Sequence, residues 1–216
     1  MNKRSKELAD WRKRDRQRVT RMMEDIQNSR VESFYNNLTA DGMPWEIALR
    51  QLAKLQDVPV EFQKAFQSAW RETKYIPLGI RNHSVLCAAL RVMFPPYTGP
   101  AVQLFRGARF NEARRRQYSL SWTDDRAAAE RFARDYSGML HGSVILETIA
   151  PPAAIIAQME YPQPWTDAER EEILREAPNA TFDEYHHERE FLVDRRRLET
   201  VTVAQRFTGT SAADLC

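Results

Sequence analysis

Three short segments carry side chains whose types and spacing break the pattern around them. In AVQLFRG (101–107), alternation along a strand puts Arg106 on the same face as Val102 and Leu104. A guanidinium beside an apolar face needs a partner, and its planar fork suits a phosphate or carboxylate held by two parallel hydrogen bonds. Gly107 then allows a ligand to approach the backbone. The plainer alternative is a strand-end arginine paired with a structural carboxylate. In QYSLSWT (117–123), the same alternation sets Tyr118, Leu120 and Trp122 against Ser119, Ser121 and Thr123. Hydroxyls in a row can orient a carboxylate or bind a ribose, and they are equally ordinary on a solvent-facing edge. In HHEREFLVD (186–194), Glu188 and Glu190 lie two apart at the head of a strand. They therefore point the same way, with backbones about 6–7 Å apart. Like charges that close repel, and the arrangement needs either solvation or a use. Paired carboxylates suit an oxocarbenium-like transition state, one stabilising the cationic sugar and the other taking the nucleophile's proton.

All three segments fall after residue 96, where the patterning changes. Before it the chain reads as helices: Trp11, Val19, Met22 and Ile26 recur at helical intervals, and Trp45, Ala48, Leu49, Leu52 and Leu55 follow Pro44 in a first turn. Phe62, Ala65, Phe66, Ala69 and Trp70 repeat the stripe, and a buried helix is expected from about Ser84 to Met93. Pro95, Pro96, Gly99 and Pro100 end helix formation. Short strands follow in AVQLFRG, QYSLSWT, GSVILETIA, EREFLVD and ETVTVAQRF. Two helices interrupt them. One runs from Asp125 to Tyr136 with Ala129, Phe132, Ala133 and Tyr136 on one face; the other starts at Thr166, with Glu169 at capping-box spacing. Helices first and strands later predict an α+β fold, with a helical region over 1–95 and a second domain over 96–216.

The 216 residues are enough for one well-cored domain, or a small domain with a helical extension. Hydrophobic content of 43% and five Trp predict a packed globule, while 29% charge and a mean hydropathy of -0.61 predict a soluble one. Cys87 and Cys216 form neither a disulfide framework nor a metal spacing, so a reducing compartment is expected. No signal peptide or membrane-length apolar run is evident, which points to the cytoplasm of a producing or target cell and to no membrane partner. Residues 1–30 form a basic arm with ten Lys/Arg against five Asp/Glu, either a surface for a polyanion or a solvated helix face. The chain contains no G-x-G-x-x-G after a strand and no P-loop, so hydride transfer on a dinucleotide fold is not implied. His186 and His187 beside Glu188 make a poor metal set, because adjacent strand residues face opposite ways and no HExxH or CxxC accompanies them.

In order, LFRG, SLSWT and ERE resemble the Arg, Ser-x-Thr/Ser, Glu-x-Glu signature of the mono-ADP-ribosyltransferases of the R-S-E class, which includes bacterial toxins, phage-encoded enzymes and vertebrate ectoenzymes. The likeness covers about residues 97–206. It implies a split β-sandwich catalytic domain and NAD as co-substrate, without a metal. Arg106 would contact the diphosphate and the nicotinamide-side ribose, and Gly107 would present backbone to the nicotinamide amide. Ser121 corresponds best to the serine that positions the catalytic glutamate; Ser119, Trp122, Thr123 and Phe132 complete the expected NAD-binding set. Glu190 would bind the ribose 2'-hydroxyl and stabilise the oxocarbenium ion. Glu188 would orient or deprotonate the acceptor, and a glutamate there goes with arginine as target. Residues 179–187, with Phe182 and Tyr185, would read the target. The implied function is transfer of ADP-ribose to a macromolecule, a protein arginine or a nucleic acid, by a toxin or effector that an antitoxin or immunity protein could neutralise. An NAD glycohydrolase in the same site, and a non-catalytic helical adaptor that binds nucleic acid or a partner, are the alternatives.

Overall fold

The computed structural model describes residues 3–72, 80, 82–137, 141–159, 171–172, 175 and 189–208. Thr166, where a helix is expected to start, residues 179–187, Glu188 and Cys216 lie outside them; of that helix Glu171, Glu172 and Arg175 are described, and all three are helical. The chain forms two compact units, Met1–Pro96 and Tyr97–Cys216.

The first unit is helical: α1 (Lys3–Gln27), α2 (Val31–Thr39), α3 (Trp45–Leu52), α4 (Val60–Glu72) and α5 (His83–Met93). Its core is built where apolar residues recur at helical spacing, with Val19 and Met22 of α1 and Phe62, Phe66 and Ala69 of α4 all buried. Phe34 and Phe62 meet edge to face at 5.3 Å, as do Phe66 and Phe94 at 5.9 Å. Each buried phenyl contributes about 1.5–3 kcal/mol, so this aromatic cluster is a principal tie between the helices. Asn82 caps α5 by accepting from the Val85 amide at 3.1 Å. Three details differ from expectation. Pro44 stands at the N-cap of α3 and not within its first turn. α2 was not foreseen, because Phe34 and Leu38 alone mark its buried side. Trp11, although in phase with Val19 and Met22, is 56% exposed, because burial along α1 begins only at Asp15.

The second unit is an open, antiparallel six-stranded sheet: β1 (Val102–Arg109), β2 (Ser121–Thr123), β3 (Ser143–Ala150), β4 (Ile155–Gln158), β5 (Glu190–Val193) and β6 (Thr202–Phe207), in the order β4-β5-β2-β1-β3-β6. Strand β1 pairs with β3 along its whole length, from Val102 opposite Ala150 to Arg109 opposite Ser143. It meets β2 at one rung only, Phe105 opposite Thr123. The sheet thus consists of two three-stranded halves joined at a single point. Leu104, Ala108, Val144 and Leu146 pack on one face with Trp122, Phe191 and Val193, whereas Phe105 and Ile145 meet Ala129 and Ala133 on the other. The last two residues belong to α7 (Arg126–Ser137), and a short helix α6 (Phe110–Arg115) follows β1.

Candidate functional site

The residues singled out by type and spacing converge where the two sheet halves diverge. A cavity of about 250 Å³ opens there. From β1 it is lined by Phe105, Arg106 and Gly107, and from β2 and the preceding turn by Ser119, Ser121, Trp122 and Thr123. Helix α7 adds Ala129, Phe132 and Tyr136, and β5 adds Glu190.

Arg106 is held from two sides. Its Nη1 donates to the main-chain carbonyl of Ser121 at 2.6 Å, and its Nη2 lies 3.7 Å from Glu112 Oε2 on α6. The buried Nε has no hydrogen-bond partner among the described residues. Burial pulls the guanidinium below the usual arginine range, an effect opposed chiefly by Glu112 and then by Tyr136 and Glu190. A desolvated cation with one spare donor at a cavity wall is a place for an anionic or carbonyl oxygen.

Glu190 opens β5 opposite Thr123, and its carbonyl accepts from the Met159 amide at 2.8 Å. It is therefore pinned between β2 and the end of β4. The β2–β5 ladder continues through the Val193 amide to Leu120 O at 2.8 Å, and Arg195 Nη1 reaches Tyr118 O at 3.0 Å. One residue before Glu190, Arg189 Nε pairs with Asp124 Oδ1 at 2.9 Å.

The middle motif folds less regularly than strict alternation suggests. Only Ser121–Thr123 is strand; Tyr118, Leu120 and Trp122 are buried as expected, but so is Thr123. The Thr123 hydroxyl accepts from the Asp125 amide at 3.0 Å and Asp125 Oδ1 from the Ala127 amide at 2.8 Å, so the TDD run starts α7. Trp122 is a core residue that touches the cavity, its indole N–H donating to Ser119 O at 3.2 Å and its ring meeting Tyr118 edge to face.

Gly107 has a different reason to be glycine from the one expected. A Cβ there would fall 2.4 Å from Ala129 O and 2.6 Å from Ala133 N. Helix α7 occupies the space that a side chain would need, so the missing Cβ serves helix–strand packing, and that packing brings Phe132 and Tyr136 to the cavity. Phe105, Tyr136 and Glu112 also stand at the site, outside the residues that the sequence motifs mark. Tyr136 follows Phe132 by one helical turn, a signal that could have found it; Glu112 sits in NEARRR, which has no apolar periodicity to mark a helix.

No protein-family model, curated protein or solved structure matches the chain. Among the described residues no helix is long and apolar enough to cross a membrane.

Proposed function

We propose that the chain is an NAD-dependent mono-ADP-ribosyltransferase whose cavity at the β1/β2 divergence binds the nicotinamide-ribose end of NAD. The observation that carries the reading is the meeting of Arg106, Ser121 and Glu190 around one cavity, with a buried Arg106 donor left unsatisfied. These are the residues on which the resemblance to the R-S-E class rests. The donor set fits the substrate. The spare edge of Arg106 suits a phosphate oxygen, Phe105, Phe132 and Tyr136 offer flat apolar walls to a pyridine ring, and Glu190 offers negative charge beside a ribose. At about 250 Å³ the cavity is below the ~300–1,000 Å³ of sites that enclose a whole ligand, so it accommodates part of the dinucleotide.

In this reading Arg106 anchors the diphosphate, and Glu190 stabilises the positive charge that develops on the ribose as the bond to nicotinamide breaks. Ser121, opposite Leu192 on β5 and fixed through its carbonyl by Arg106, orients Glu190. Glu188 takes the acceptor's proton. The acceptor is macromolecular, a protein arginine before a nucleic acid, and the chain acts as a toxin or effector in the cytoplasm.

The test is incubation of the purified chain and its Glu190→Gln variant with labelled NAD and a bacterial lysate, before and after nuclease treatment. The amide keeps the shape of the carboxylate but loses its charge, so label should reach a macromolecule only with Glu190 present. Label that survives nuclease assigns a protein acceptor; label lost with nuclease assigns a nucleic acid. Equal labelling by the variant, or no nicotinamide release by the parent chain, overturns the proposal.

A further inference from the structure

We infer that Glu112 is a specificity-determining residue: it cancels the advantage that a free terminal phosphate would have at Arg106, so that the cavity favours a diphosphate esterified at both ends, as in a dinucleotide. The inference rests on the proposed reading of the cavity as a nucleotide-diphosphate site.

Helix α6 is fixed on both sides of Glu112. Phe110 and Ala113 pack against the core of the second unit, and the Phe110 amide donates to Gly142 O at 3.1 Å. The Glu112 carbonyl accepts from the Gln117 amide at 3.1 Å. So held, the carboxylate is 33% exposed and stands 3.7 Å from Arg106 Nη2, too far for a charge-assisted hydrogen bond. Other guanidinium–carboxylate pairs in the chain do close, Arg30–Asp25 at 2.8 Å, Arg189–Asp124 at 2.9 Å and Arg196–Asp194 at 2.7 Å. Glu112 therefore supplies charge to Arg106 without using its donors.

The edge of Arg106 that this stand-off leaves open is the one that suits a phosphate. Nη1 is taken by the Ser121 carbonyl, while Nε has no hydrogen-bond partner among the described residues. Nε and Nη2 present two parallel N–H groups, which a phosphate accepts with two oxygens. A phosphate seated there lies beside Glu112, the carboxylate that acts most strongly on Arg106, with Glu190 also at the cavity. A phosphate esterified at both ends of a diphosphate carries one negative charge, and a terminal phosphate carries close to two near neutral pH. Arg106 alone would favour the second. Glu112 opposes it, and one extra charge about 4 Å from a partly exposed carboxylate is worth about tenfold in affinity.

The experiment is isothermal titration calorimetry of the full chain with ADP and with its β-methyl ester, without divalent cations. The ligands differ by one methyl group and one charge. The parent chain should bind the ester at least as tightly as ADP. Glu112→Gln should tighten both and shift their ratio about tenfold toward ADP, whereas Glu112→Asp, which keeps the charge, should retain part of the parent's preference. Raising salt to about 1 M should move the parent's ratio toward that of Glu112→Gln, because a partly exposed carboxylate is screened. This series needs no substitution and decides the question even if a variant unfolds. Tighter binding of ADP than of the ester by the parent, or a ratio unchanged by Glu112→Gln and by salt, overturns the inference. Absence of binding by either ligand overturns it together with the reading of the cavity. A ratio that follows Glu112 in a chain that releases no nicotinamide upholds the inference and sinks the transferase reading alone.

Discussion

Arg106 donates from Nη1 to the main-chain carbonyl of Ser121 across 2.6 Å, bridging β1 and β2 beside the one rung at which they pair. The guanidinium is thus oriented by backbone, with Glu112 farther off at 3.7 Å. Its depressed pKa means that folding disfavours the charged form, and this penalty acts wherever the side chain is protonated, including the whole neutral range. Replacing a whole buried ion pair by apolar side chains is often neutral or stabilising, whereas removing one partner leaves the other unpaired. Arg106→Met relieves the burial of a charge but also removes the donor to the Ser121 carbonyl, so it should melt near the parent temperature while nicotinamide release falls by about 100-fold or more, the scale for removing a donor that supports developing charge. Thermal unfolding and a release assay on the same preparations check both. A melting point several degrees lower would instead make the Ser121 bond a structural tie between the sheet halves.

Gly107→Ala should fail for a reason that distance alone decides. The added methyl meets Ala129 O and Ala133 N, both backbone atoms, and so cannot be relieved by a side-chain rotation. Helix α7 must move, at about 1–3 kcal/mol, and Phe132 and Tyr136 move with it. Melting temperature and activity are expected to fall together. Ala129→Gly should not rescue the variant, because the colliding atom is the Ala129 carbonyl, which glycine retains.

The candidate site was legible in the sequence where one side chain departed from its strand's pattern: Arg106 on an apolar face, hydroxyls opposite aromatics, and a carboxylate at the head of EFLV. Those departures survive folding because strand alternation is local. What the sequence left unread depends on contacts between distant segments. Nothing in QYSLSWT indicates that its strand begins only at Ser121, or that Thr123 turns inward to start α7. Gly107 reads as open space until α7 is placed against it. The α+β division followed from periodicity, but β4 was not foreseen, since IIAQ carries no turn signal that separates it from the preceding prolines. The six-stranded order, and its near-parting between β1 and β2, is a product of pairing that no single strand encodes.

Asp25 gives a prediction about the helical unit. Its buried carboxylate accepts from Arg30 Nε at 2.8 Å, Ser33 Oγ at 2.9 Å and Asn37 Nδ2 at 2.8 Å, tying the end of α1 to α2. Asp25→Ala removes three hydrogen bonds and should cost about 3 kcal/mol in a chemical denaturation series, at about 1 kcal/mol for each bond lost. Arg30 and Asp25 share one contact, so Asp25→Ala/Arg30→Ala should be less unstable than the sum of the single variants. Strict additivity would mean that the Asp25–Arg30 contact carries no coupling.

The Asp124–Arg189 pair should separate stability from activity. Arg189 is largely exposed, so breaking the pair should change stability by less than about 1 kcal/mol. Its location gives it more influence on the site than on the fold. Thr123 lies opposite Glu190, so Asp124 and Arg189 flank the last rung before the chain leaves β5, on the side of Glu188. The pair therefore ties the residue before Glu190 to the residue after Thr123. Asp124→Asn and Arg189→Gln are each expected to leave the melting temperature nearly unchanged and to lower transfer to the acceptor more than nicotinamide release to water. The exchange Asp124→Arg/Arg189→Asp should recover part of the transfer. Raising salt to about 1 M, where the screening length falls to ~3 Å, should reproduce the single variants in the parent chain, because an exposed pair is open to screening in a way that the buried Arg106 is not. Equal loss of both reactions would show that the pair supports Glu190 itself and not the approach of the acceptor.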